Sequence, residues 1–138
     1  MKRITLGLIT FSFSLVSHAA ALEVFDSKVE LLSNCTLIVE VNGEKQTIEP
    51  EFSQEGHCSI MTHGRTNVPK ILYVNGMYVF FIENSLKSES SCNAQATSIG
   101  IDKQNNLYQT DYIKPFSRCD LALEAKSFEI FSSKMKSN

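Results

Sequence analysis

Four cysteines, Cys35, Cys58, Cys92 and Cys119, and two histidines, His57 and His63, are the residues of this 138-residue chain whose types most readily support chemistry. Zinc draws about four ligands from thiolate, imidazole and carboxylate groups, commonly with two cysteines about two to four residues apart. No two cysteines here stand that close. His57 and His63 are six residues apart, and in an oxidising compartment Cys58 would not be a thiolate, so too few ligands remain. No metal site is expected.

Serine hydrolysis needs an activated hydroxyl beside a histidine and an acid, and the chain has no G-x-S-x-G turn to present one. His57 and His63 could act as bases with Asp102, Asp111 or Asp120 only if folding gathered them, and nothing in their spacing does so. Glu49, Glu51 and Glu55 surround Pro50 in a polar stretch that reads as a solvated loop rather than the paired carboxylates of a glycosidase cleft. There are six glycines and no phosphate-cradling pattern of the G-x-x-x-x-G-K or G-x-G-x-x-G kind. The expectation is a non-enzymatic protein with no catalytic residues and no cofactor.

The N-terminal segment has the three parts of a secretory leader. Lys2 and Arg3 are its positive start, residues 4–16 its apolar run, and Ser17-His18-Ala19-Ala20-Ala21 its small-residue end. Such a run is too short for a permanent crossing of a hydrocarbon core about 30 Å thick. Cleavage after Ala19 or Ala21 satisfies the small-x-small rule, and Ala21 is taken because Ala19 and Ala21 then fill both small positions. This divides the chain into a cleavable signal peptide, 1–21, and one domain, 22–138, with no integral membrane segment left. The short positive start and abrupt alanine-rich end are of bacterial type, which places the product in a periplasm or, alternatively, outside the cell.

Without the leader, 11 basic residues stand against 15 acidic ones, a formal charge of −4. A mildly acidic domain without a basic run lacks the footprint of a nucleic-acid or anionic-lipid binder. All four cysteines lie in the exported part, and an even count in an oxidising compartment implies two disulfides. Three connectivities exist. Pairing in order, Cys35 with Cys58 and Cys92 with Cys119, is favoured because each pair brackets a hairpin and closes a loop of moderate length.

The elements that would hold these residues are mostly strands. Residues 36–49 alternate apolar and polar about Asn42-Gly43, a two-residue hairpin turn that sets Val41 against Glu44, Glu40 against Lys45, Val39 against Gln46 and Leu37 against Ile48. Residues 70–83 turn at Asn75-Gly76, with Tyr73 facing Tyr78, Leu72 facing Val79 and Ile71 facing Phe80. Both faces of this second hairpin are apolar, so it is central in a sandwich or barrel, or one face meets another chain.

A third hairpin runs over residues 94–112 around the polar turn 102–106 and ends before Pro115. Residues 49–56, 64–69, 84–91 and 113–117 read as loops, the serine-rich 84–91 as the most solvated. Residues 121–131 read mostly as strand with a possible short helix. The whole is a single small antiparallel β domain with two disulfides.

With chemistry set aside, recognition by surface remains. The segment 63–69, with Arg65 and Asn67 between Gly64 and Pro69, is one candidate for partner binding. Tyr108, Tyr112 and Arg118, with Phe116, form a second set of interface-prone types, equally suited to packing. The profile is that of an exported protein-binding protein, best read as a periplasmic inhibitor or immunity protein against an envelope-attacking enzyme or toxin. The competing reading is an envelope structural or adhesive subunit that self-associates through the second hairpin.

Overall fold

A computed structural model describes residues 18–64 and 66–137; the apolar run of the expected leader and Arg65 lie outside the described residues. The first sheet is a four-stranded meander of β1 (His18–Val24), β2 (Ser27–Leu32), β3 (Leu37–Val41) and β4 (Glu44–Ile48). The second sheet contains β5 (His57–Ile60), β6 (Ile71–Val74), β7 (Met77–Lys87), β8 (Cys92–Asp102), β9 (Leu107–Gln109), β10 (Lys114–Phe116) and β11 (Lys136–Ser137), in the order β11-β9-β8-β7-β5. Strand β6 pairs with the first part of β7, and β10 with the first part of β8. One helix, α1 (Ala125–Ser132), precedes β11, and every strand pairing is antiparallel.

Local sequence explains the two Asn-Gly hairpins. Asn42 and Gly43, and Asn75 and Gly76, all take positive φ, as a tight turn matched to strand twist requires. The register then follows: Leu37 faces Ile48 and Val39 faces Gln46, while Ile71 faces Phe80 and Tyr73 faces Tyr78. Glu40 and Lys45 pair across β3 and β4 at 3.7 Å on the solvated face.

Two cores result. Leu22, Val24, Val29, Leu31, Leu37, Val39 and Ile48 of the first sheet meet Ile60, Phe80, Ile82, Ile99 and Ile101 of the second. On the far side of the second sheet, Met77, Val79 and Phe81 pack with Leu121, Leu123, Phe128 and Phe131. Strand β7 therefore faces apolar groups on both sides, as its continuous apolar sequence requires.

Several expectations are corrected. Residues 84–91 are not all loop: β7 continues to Lys87, and Asn84 and Ser85 are buried in pairing with β8. Pro115 does not lie in a loop but in the edge strand β10, where its missing N–H costs no ladder bond. The C-terminal stretch is not mostly strand: a short helix forms over Ala125–Ser132, because Phe128 and Phe131, three residues apart, fall on one helix face against Phe81, with both ring centroid distances 4.7 Å. Strands β1, β2 and β5 were not anticipated.

Both disulfides pair the cysteines in order. Cys35–Cys58 ties the β2–β3 turn of one sheet to β5 of the other, and Cys92–Cys119 ties the start of β8 to the segment before α1. Beside the first, the buried Asn84 donates to the Cys35 Sγ and to the Gln54 carbonyl, both at 3.2 Å. An added Cβ at Gly56 would collide with Asn84 Oδ1 and the Ser85 backbone, so only glycine lets the chain pass here. The carboxylate of Glu83, 3% exposed, accepts the backbone N–H of Asp120 at 2.9 Å and of Leu121 at 2.8 Å. It clamps the C-terminal layer onto β7. Among the described residues no helix is long and apolar enough to cross a membrane.

Glu83→Ala leaves both amides without their acceptor and should lower unfolding free energy by about 2–4 kcal/mol in a denaturant titration. Ser98 sits opposite Phe81 in the ladder, and its buried hydroxyl has no hydrogen-bond partner among the described residues. Ser98→Ala should accordingly raise stability by about 1 kcal/mol, measured the same way.

Candidate functional site

Three turns converge at one end of the sandwich: Phe25-Asp26 between β1 and β2, Asn75-Gly76 between β6 and β7, and 102–106 between β8 and β9. The antiparallel register brings them together, since Met77 pairs with Asp102, and Ser27 Oγ donates to Asn105 Oδ1 at 3.3 Å. At this corner Phe25 lies edge-on to Tyr78, centroids 4.7 Å apart, and Tyr78 is 5.0 Å from Tyr73. The ammonium of Lys103 sits 5.3 Å from the Tyr73 ring centroid. Phe25 remains 44% exposed and Tyr73 52%. Phe25, Tyr78, Ile71, Val24 and Glu23 line a shallow crevice of about 250 Å³.

Phe25 has φ +53°, in the left-handed region that suits glycine, asparagine or aspartate. For a bulky residue that conformation costs on the order of 1–2 kcal/mol. The two neighbouring turns meet the same requirement with better-suited residues, Asn75-Gly76 in one and Asn105 at φ +62° in the other.

The third turn is held by Asp102. Its Oδ1 accepts the backbone N–H of Gln104 and of Asn106, each at 2.9 Å, and its Oδ2 accepts Asn106 Nδ2 at 2.8 Å and the Tyr108 hydroxyl at 3.0 Å. Partial desolvation raises the Asp102 pKa, but these four donors outweigh it and hold it below the ordinary carboxylate value. The same hydrogen bond pushes the Tyr108 hydroxyl above its usual value, because ionisation would lose the bond and oppose the carboxylate.

Two further crevices flank the sandwich. One of about 230 Å³ opens between the sheets beside β4 and β9, lined by Glu49, Glu51, Asp111, Thr97 and Thr110. Thr97 is buried there, its hydroxyl donating to the Tyr112 carbonyl at 3.1 Å. The other, about 270 Å³, lies where Gly64, Thr66 and Asn67 approach Glu83 and Asp120.

The residues singled out from sequence fall in different places. Asn67 is exposed on the loop beyond β5, whereas Tyr108 lies on β9, toward the opposite edge of the second sheet. Tyr108, Tyr112 and Phe116 are half-buried around the rim of the second core, with Tyr112 against Phe131 at 4.8 Å and beneath the Lys134 ammonium at 4.7 Å. Arg118 is exposed beside Cys119. His57 and His63 are both exposed, and no group of three His, Cys, Asp or Glu among the described residues is placed to hold a metal.

Sequence reasoning missed the aromatic corner. The Tyr73–Tyr78 pair was legible, but Phe25 was hidden because Phe25-Asp26 carries no glycine or asparagine to mark a turn. The alternation of Leu22 and Val24 before it, and of Val29 and Leu31 after it, was the available signal.

The chain is thus a disulfide-linked, two-sheet antiparallel β protein with a helix over one outer face. Comparison with protein-family models, curated proteins and solved structures finds no match to it.

The Asp102–Tyr108 pair predicts a pH signature. Asp102 has a depressed folded pKa, so its contribution is present above the unfolded value of about 4 and is lost as pH falls through the folded one. Tyr108 has a raised folded pKa, so its contribution is present below about pH 10 and is lost as pH rises through the folded value. Asp102→Asn should flatten the acid limb of the stability–pH curve, and Tyr108→Phe the alkaline limb, in thermal melts across pH.

Proposed function

We propose that this is an exported, non-enzymatic protein that binds and restrains an envelope-attacking enzyme or toxin, and that the aromatic corner of Phe25, Tyr73, Tyr78 and Lys103 is its contact surface. The observation that carries the reading is Phe25, a bulky residue at positive φ whose ring stays 44% exposed. Backbone strain that leaves an aromatic ring in water has little to offer the fold alone, and strain of this kind concentrates at functional positions. Tyrosine and phenylalanine are also enriched at protein interfaces, and tyrosine is among the types that dominate binding energy there.

Export is supported by the leader grammar of the N-terminus and by two disulfides, which persist in oxidising compartments. The periplasm is the compartment favoured by the bacterial type of that leader. The competing reading of a self-associating envelope subunit rested on the two apolar faces of the second hairpin. Both faces are largely covered within the chain, by the first sheet and by the α1 layer.

Phe25→Gly separates binding from folding. It relieves the positive-φ strain of about 1–2 kcal/mol while losing the edge contact with Tyr78 and the partial burial of the ring. The variant should stay folded, with an unfolding free energy within about 2 kcal/mol of wild type. In capture from an envelope extract, wild type should retain a hydrolase or toxin at one-to-one stoichiometry and reduce its activity, whereas Phe25→Gly and Tyr73→Ala should not. Retention of the same partner by both variants would rule out the corner, and self-recovery in multiples would favour the envelope subunit.

A further inference from the structure

Two bonds satisfy the small-residue rule for leader removal, Ala19–Ala20 and Ala21–Leu22, and the sequence by itself favours the second. The register of β1 on β2 distinguishes them. From Ala20 onward pairing is regular: Ala20 with Leu31, Ala21 with Glu30, Leu22 with Val29, Glu23 with Lys28 and Val24 with Ser27. Before Ala20 it breaks. His18 faces Leu32, so two steps along β1 correspond to one along β2, and Ala19 is left over at an irregularity in the ladder.

The packing changes at the same place. Ala20 lies against the first core, and Leu22 and Val24 continue the inward face beyond it. A chain beginning at Leu22 would lose the pairs of Ala20 and Ala21, together with the contact of Ala20. It would also leave Glu30 and Leu31 of β2 as an open sheet edge. A chain beginning at Ala20 keeps every regular pair and sheds only what precedes the irregularity.

We propose that the leader is removed at the Ala19–Ala20 bond, so that the mature chain comprises residues 20–138. This rests on the export reading above. A membrane-bound signal peptidase would catalyse the hydrolysis. The peptide C–N bond breaks, water supplies its hydroxyl to the carbonyl carbon of Ala19 and a hydrogen to the nitrogen of Ala20, and the products are a leader carboxyl and a free amine. Ser17 and Ala19 then occupy the two small positions before the bond. Residues from Ala20 onward then stay with the chain as the regular part of the β1–β2 ladder.

The test is expression of the full-length chain in a bacterial host and intact-mass measurement of the protein from its periplasmic fraction. A mass beginning at Ala20 is expected. A mass beginning at Leu22 overturns the proposal while leaving export intact, whereas an unprocessed chain beginning at Met1 and retained in the cell overturns the export reading and the proposal with it. Ala21→Gln supplies an independent arm, since Ala21 is exposed and lies after the proposed bond. That variant should be processed as efficiently as wild type and still begin at Ala20. Accumulation of its precursor would show that the enzyme reads Ala21 and would overturn the assignment.

Discussion

The architecture depends on one strand that has no solvated face along most of its length. In β7, Phe80 and Ile82 point to one side and Val79 and Phe81 to the other, all at most 1% exposed. Each face has to be covered, because leaving a phenylalanine or isoleucine in water forgoes on the order of 2 kcal/mol per side chain. The first sheet covers one face. The other is closed by α1 and the segment before it, with Phe128 and Phe131 against Phe81. The three layers follow from that requirement.

Covering β7 twice creates a polar difficulty that the chain solves with few groups. The C-terminal layer approaches the sheet at Glu83, a charged position inside a mostly apolar strand, and the approaching backbone N–H groups of Asp120 and Leu121 satisfy its carboxylate. Lys70 meets the same layer from β6's side, donating to the Leu123 carbonyl at 2.6 Å with its ammonium 5.6 Å from the Phe128 centroid. Such charge-assisted bonds to backbone are stronger than neutral ones. They also fix where the layer docks, which apolar contact alone does not, since dispersion and hydrophobic burial carry no direction.

What was legible from sequence divides along the same line. Hairpins whose turns are Asn-Gly announce both position and register, so Leu37 facing Ile48 and Ile71 facing Phe80 were readable residue by residue. The disulfide pairing was only favoured from sequence, because each pair brackets a local hairpin while three connectivities stayed open, and the fold decides it. Elements whose identity is decided by distant contacts were not legible. Residues 127–131 alternate well enough for a strand while 121–126 favour helix by propensity, and the presence of Phe81 beneath Phe128 and Phe131 makes a helix the better burial over Ala125–Ser132. The extension of β7 through Asn84 and Ser85 depends on β5 and β8 on either side and on the Gln54 contacts, none of which is local. The candidate site shared this fate, because Phe25 reaches Tyr78 only after two sheets have packed.

The turns of the aromatic corner are tied to one another by side-chain hydrogen bonds and ring contacts. Asp102 engages four donors within its own turn and β9, Ser27 bridges the first sheet to that turn, and the ring of Phe25 rests on Tyr78. Rigidity matters for recognition because each rotamer-rich side chain ordered on binding costs about 0.5–1.5 kcal/mol, a cost that pre-ordered rings avoid. Tyrosine and phenylalanine add large contact area with only two side-chain torsions each. Lys103 over Tyr73 sets one ammonium among the carboxylates of Glu23, Asp26 and Asp102, so the exposed rings rather than net charge distinguish this corner. The crevice beside β4 and β9, with Glu49, Glu51 and Asp111, has no aromatic ring in its lining and offers no such platform. The two sites therefore differ in the side chains they expose, aromatic rings at one and none in the lining of the other.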